Sequence, residues 1–242
     1  MLGLFPDLFR TSLIVHGVAE SHPAAVLDST LNTLGIQFEG EAADGLIDTE
    51  FLSEMARDIR VEERYWDFWK DMVVNVSKDQ NLAKWALDRI SQAERTSLEE
   101  RKMVYGIRPK KLYIEGCSKY PSSVIGLVAK HAGADVVYLD EGFAPYEKWQ
   151  ENRFKADLSY VQKGREAHWT KRVGKNKPHG TSLLIAGRNH LIRPSEESVV
   201  QEPSRVFIGN FPNLLKDKGI NFLMYADLTV SGTGAAPKLY SV

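Results

Sequence analysis

The sequence predicts an α/β domain on a mostly parallel central sheet. Three observations carry the expectation: short β-branched runs end in glycine or a polar residue, helical periodicity lies between them, and strand, helix, strand recurs along most of the chain. At 242 residues, 43% hydrophobic and 26% charged, the composition is globular and the chain long enough to bury a large core. One domain over residues 1–242 is expected, ordered up to about the last ten residues.

Ser12-Leu13-Ile14-Val15-His16 opens the pattern, a β-branched run ending at Gly17. Pro23 suits the first turn of a helix in which Val26, Leu27, Thr30, Leu31 and Leu34 recur at helical spacing, and Gly35 suits its C-cap. Ile36 to Glu39 follows as a second strand candidate, so the opening reads as a parallel βαβ unit. From Asp48 to Arg101 the pattern is helical, with Trp66, Phe68, Trp69, Met72 and Val73 in one stripe and Leu82, Trp85, Ala86 and Ile90 in another. Spacing of three and four is what packing between helices requires, and a helical cap insertion over about residues 48–105 is expected.

The α/β rhythm resumes with strands at Lys111 to Glu115 and Asp135 to Asp140, separated by a helix from Pro121 to Ala132. Helical pattern runs from Ala144 to Glu166, and Lys171 to Gly180 reads as a basic loop. Ser182 to Gly187 is the clearest buried strand. Val206 to Ile208, a helix near Phe211 to Lys216, and Asn221 to Val230 complete the alternation.

Charge excludes some functions. Lys plus Arg number 31 against 32 Asp plus Glu, so no net field recruits nucleic acid or an anionic membrane. No window approaches the roughly 20 apolar residues of a membrane span. Met1 to Val15 is broken by Asp7 and Arg10 and reads as structure instead of a leader. The single cysteine, Cys117, rules out an intrachain disulfide and a thiolate metal cluster and fits a reducing, cytoplasmic setting.

Ligands of open parallel sheets sit beyond the carboxyl ends of the strands, so polar residues there are the candidates. Glu20 and His22 follow the first strand; His22 has the pKa class of a general base, though either residue could instead cap the helix at Pro23. Glu39 and Glu41 follow the second candidate strand on one face. Glu115 and His190 end later strands, and Arg188-Asn189-His190 is polar where a buried strand emerges. Two imidazoles with one or two carboxylates, His22, Glu39 and His190, would satisfy a divalent metal with an open position, though no local ligand pair such as H-E-x-x-H exists. G-x-S-x-G, G-x-x-x-x-G-K-[ST] and strand-following G-x-G-x-x-G loops are absent from the sequence. Cys117 reads as a nucleophile or a small buried hydrophobe.

Ala19-Glu20-Ser21-His22, Phe38-Glu39-Gly40, Glu151-Asn152-Arg153 and Gly187-Arg188-Asn189-His190, in that order, resemble motifs of the superfamily that groups erythromycin esterase-like, ChaN-like haem-uptake and TraB/Tiki-like proteins. The resemblance covers about the first fifty and last hundred residues and leaves His16 and His22 as alternative first-motif histidines. It implies a mixed sheet with helices on both faces, an inserted helical cap, and a crevice lined by Glu20, His22, Glu39, Arg153 and His190. The function expected from it is hydrolysis of an ester or peptide bond: His22, helped by Glu20 or Glu39, activates water directly or through a metal, and Arg153 with His190 stabilises negative charge. The alternative is a non-catalytic protein binding an anionic or haem-like small molecule, approached past Lys171 to Lys177.

Overall fold

The computed structural model describes residues 11–18, 23–36, 49–118, 124–151, 164–187, 190–191, 211–226 and 238–241. The strands are β1 (Thr11–Val18), β2 (Lys111–Ile114), β3 (Asp135–Tyr138), β4 (Gly180–Gly187), β5 (Phe222–Ala226) and β6 (Lys238–Ser241). The helices are α1 (Pro23–Thr33), α2 (Thr49–Arg57), α3 (Ile59–Val76), α4 (Gln80–Ile107), α5 (Ile125–His131), α6 (Ala144–Glu151), α7 (Arg165–Lys175) and α8 (Phe211–Asp217). They fall into two compact units, one holding the strands with α6, α7 and α8, the other holding α1 to α5.

In the first unit the strands form one six-stranded sheet in the order β3-β2-β4-β1-β5-β6. All neighbours pair in parallel except β6, which runs antiparallel to β5 at the edge. The expected α/β fold with a mixed, mostly parallel sheet is therefore present, and β6 adds a strand inside the final stretch where order was not expected. Leu13, Tyr113, Val137, Leu184 and Phe222 alternate onto one sheet face and meet Trp169 and Val173 of α7 and Phe211 and Leu215 of α8. Leu112, Ile114, Leu183 and Ile185, on the opposite face, are buried too. Strands covered on both sides become continuous apolar runs, which is why β4 is the clearest strand in the sequence.

The strand expected at Ile36 to Glu39 meets a different arrangement. Ile36 lies in no strand and packs with Leu31 and Leu34 into the α1, α3 and α4 cluster, while residues 37–39 lie outside the described residues. Both edges of β1 are taken, by β4 along its whole length and by β5 from Leu13 to Gly17, so the next strand in sequence has no place directly beside it. The turn itself is as the sequence implies: Ile36 N–H donates to Leu31 O and Gly35 N–H to Asn32 O, with Gly35 at φ +69°, a glycine-terminated helix end.

The second unit is helical. Asp58 caps α3 by accepting from Arg60 N–H at 2.9 Å, and Asp79 caps α4 by accepting from Asn81 and Leu82 N–H. Trp66, Trp69 and Val73 of α3 share one stripe and pack against Ala86, Ile90 and Ala93 of α4 and Val26, Leu27 and Leu31 of α1. Phe68 and Trp85, placed by the sequence in the same stripes, face outward instead, at 49% and 40% exposure. A buried ionic joint crosses the bundle. Arg101 of α4 pairs with Glu62 of α3 and donates to the Met55 and Ala56 carbonyls that end α2, while Ser97 Oγ donates to the other oxygen of Glu62. Unpaired, either charge would be too costly to bury.

Candidate functional site at the carboxyl ends of β2, β3 and β4

Strand order fixes which strand ends can bring polar residues together. The chain leaves β2 toward β3 on one side and leaves β4 toward β5 on the other, although β2 and β4 are neighbours. Loops that diverge from adjacent parallel strands leave a hollow between them, the topological switch point at which α/β sheets hold ligands. Glu115 follows β2 directly, Asp140 lies two residues past β3, and His190 lies three past β4, so all three stand at this end.

Arg165, the first residue of α7, ties these ends together. Its Nε donates to Asp140 Oδ1 and its Nη2 to Asp140 Oδ2, both at 2.7 Å, and Nη2 also lies 2.8 Å from Glu115 Oε1. The guanidinium lies over two rings, Tyr146 with its centre at 4.6 Å and Trp169 at 4.8 Å. Burial works against its charge, but the Asp140 and Glu115 carboxylates outweigh that and hold its pKa above the ordinary arginine value. Asp140 is fully buried and accepts two further bonds at 2.7 Å, from Trp169 Nε1 to Oδ1 and from Gly116 N–H to Oδ2. With four donors on its two oxygens, this carboxylate fastens α7 to the ends of β2 and β3.

Glu115 and His190 are held differently. Glu115 N–H donates to Ile185 O, keeping the residue in the ladder with β4, and its Oε2 accepts from Gly187 N–H at 2.9 Å. His190 stacks on Trp169, with ring centres 4.6 Å apart, and its Nδ1 lies 3.0 Å from Glu166 Oε1. Facing a carboxylate, Nδ1 carries a ring proton and donates it to Glu166 Oε1. Nε2 stands 3.9 Å from Glu115 Oε1, beyond direct hydrogen-bond range.

Of the sequence candidates, His190 and Glu115 are thus brought together. Glu20, His22, Glu39, Glu41 and Arg153 lie outside the described residues. His16 lies in β1, opposite Ile185 and Tyr225. Cys117 is buried beside Tyr146 and Phe143, as a small hydrophobe would be. His168 keeps a local role, its Nε2 3.1 Å from Glu141 O and its ring against Phe143. Sequence reasoning missed Arg165 and Glu166. The signal available was Gly164 at the head of an amphipathic helix, but nothing local ties that helix to strands 25 and 50 residues upstream.

The basic stretch needs correction. Lys171, Arg172 and Lys175 belong to α7 and not to a loop, and α7 begins at Arg165 beside Asp140. It ends where the Asn176 carbonyl accepts from Tyr113 Oη and from Lys111 Nζ, at the start of β2. Eleven residues of helix span about 16 Å, so those cations lie toward the opposite end of the sheet from His190.

Among the described residues no group of three or more His, Cys, Asp and Glu side chains is placed to hold a metal ion, and no helix is long and apolar enough to cross a membrane. No family model, no curated protein and no solved structure matches the chain.

Proposed function

We propose that the protein is a hydrolase of ester or peptide bonds in which His190 takes a proton from the attacking water. One observation carries the reading: Nε2 of an imidazole whose Nδ1 is held by Glu166 stands 3.9 Å from Glu115 Oε1 at the strand ends. A water can donate one proton to each at ordinary lengths of about 2.8 Å, which turns its lone pair outward for attack. Glu166 then steadies the imidazolium that forms, as a carboxylate behind a histidine does in acyl-transfer sites. Arg165, spent on Asp140 and Glu115, positions the acceptors and does not meet the substrate.

His22 with Glu20 or Glu39, and Arg153 as the group that stabilises developing negative charge, complete the proposal as the superfamily resemblance implies it. In the metal-assisted form of the proposal, His190 Nε2 would be a ligand of a divalent ion held with His22 and Glu39 instead of the proton acceptor, and such an ion would acidify the water. The binding alternative for an anionic or haem-like molecule is supported less, because the cations meant to guide an anion lie along α7 away from its first turn.

The test is turnover of a panel of nitrophenyl esters and fluorogenic peptides by the wild type and by His190→Gln. A general base contributes about 10²- to 10⁴-fold, so kcat should fall by at least a hundredfold with the fold intact by circular dichroism. Undiminished turnover in the variant, or none in the wild type, overturns the proposal.

A further inference from the structure

We infer that the helical unit binds a second copy of itself, α3 against α3 in antiparallel, to form a two-fold dimer. The inference uses no residue of the strand-end site and stands apart from the hydrolase reading.

α3 carries a second apolar stripe beside the one it buries. Trp66, Trp69 and Val73 face α1 and α4. Val61, Tyr65, Phe68, Met72 and Val76 also recur at three and four residues, the spacing of one helix face. Phe68 is 49% and Val76 52% exposed, while Val61, Tyr65 and Met72 are partly buried. Of the six large hydrophobic side chains exposed among the described residues, α3 holds four: Ile59, Phe68, Val74 and Val76. An apolar stripe left open to water marks a contact surface. Its rings are already held in place: Phe68 meets Trp69 edge-on and Tyr65 meets Trp66 edge-on, each with centres 5.2 Å apart. Anchors ordered in advance lose less side-chain freedom on binding.

Charge says what covers the stripe. Arg64 and Asp71 border it on one side, four residues before and three after Phe68, at the middle of the 18-residue helix. A two-fold axis crossing Phe68 pairs equal steps taken in opposite directions. Phe68 then meets Phe68 of the other copy, Tyr65 meets Met72, Val61 meets Val76, and Arg64 meets Asp71 twice over. Neighbouring charges on α3 are matched within the chain, Arg60 with Asp58 at 2.8 Å and Asp67 with Lys70 at 2.7 Å. Arg64 gives its Nε–H to the Arg60 carbonyl, and neither it nor Asp71 forms an ion pair among the described residues. The axis thus joins two charges that the fold leaves without a counter-ion. Charges flanking an apolar seam set the orientation of paired helices; a parallel copy would put the two charged rims on opposite sides of the seam, where they cannot meet. A lipid surface fits poorly, because Glu63, Asp67 and Asp71 all lie on the exposed part of α3. An 18-residue helix is about 27 Å long, so the contact is small and the dimer is of the micromolar class.

The experiment is sedimentation equilibrium of the full chain over a range of concentrations. The wild type should dimerise with a dissociation constant of about 1–100 µM. Phe68→Gln removes the centre of the seam and should weaken the dimer at least fivefold, with helix content by circular dichroism unchanged because the ring is half exposed. Arg64→Asp and Asp71→Arg each give the rim a single sign, so each variant alone should be monomeric where the wild type is dimeric. An equimolar mixture of these two should dimerise again, an acidic rim now facing a basic one. A wild type still monomeric at about 0.5 mM, a loss under fivefold in Phe68→Gln, or a mixture of the folded charge variants that stays monomeric overturns the inference. If either charge variant loses helix content, Phe68→Gln alone decides.

Discussion

Replacing Asp140 by Asn changes one atom and should loosen the whole end of the sheet. Oδ1 accepts from Arg165 Nε and Trp169 Nε1, and Oδ2 accepts from Arg165 Nη2 and Gly116 N–H. Whichever way the amide turns, its NH₂ points at two donors, and a buried guanidinium loses the closer of its two counter-charges. Breaking a buried, hydrogen-bonded ion pair by removing one partner costs about 3–5 kcal/mol, a large share of the roughly 5–15 kcal/mol that stabilises a folded domain. Because the chain holds two compact units, the effect is best read locally, by hydrogen exchange of the β2 and β3 amides. At about 1.4 kcal/mol per decade, exchange there should accelerate by roughly two to three and a half orders of magnitude, with the α3 and α4 amides much less affected. An acceleration under about fivefold would mean that Arg165 is satisfied by Glu115 and its stacking partners alone, and the fastener role given to Asp140 would be wrong.

Two other perturbations test the packing. Arg101→Met should destabilise the helical unit by about 3–5 kcal/mol, because Glu62 is left buried with only the Ser97 hydroxyl; adding Glu62→Leu should recover part of that loss in urea denaturation, and a double variant weaker than the single would refute the account. Tyr113, whose hydroxyl donates to Asn176 O, has its pKa raised by burial and by the nearby Asp135 charge, so the folded state holds that proton more tightly than the unfolded chain. Its stabilising effect is complete below about pH 10, the unfolded value for tyrosine, and is lost as pH rises beyond it. Melting temperature should therefore fall between pH 9 and 11 more steeply in the wild type than in Tyr113→Phe, and parallel curves would contradict it.

The local rules of the chain were sufficient for its elements. β-branched runs gave β1, β2, β3 and β4 to within a few residues, Pro23 and Gly35 bracketed α1, and the three- and four-residue spacing of Trp66, Trp69 and Val73 marked a buried stripe. The same rules placed polar residues at strand ends and so singled out Glu115 and His190. Periodicity reports which face of an element is buried, not against what. For that reason it could not say that β1 lies between β4 and β5, that Phe68 and Trp85 face away from the stripe beside them, or that Arg165 closes on carboxylates 25 and 50 residues earlier. The order β3-β2-β4 decides that Glu115 and His190 come within 3.9 Å of each other, because side chains from two strand ends can converge only where those strands are neighbours. Partner choice is a property of the packed chain, settled by mutual burial and charge pairing between residues that no local window contains.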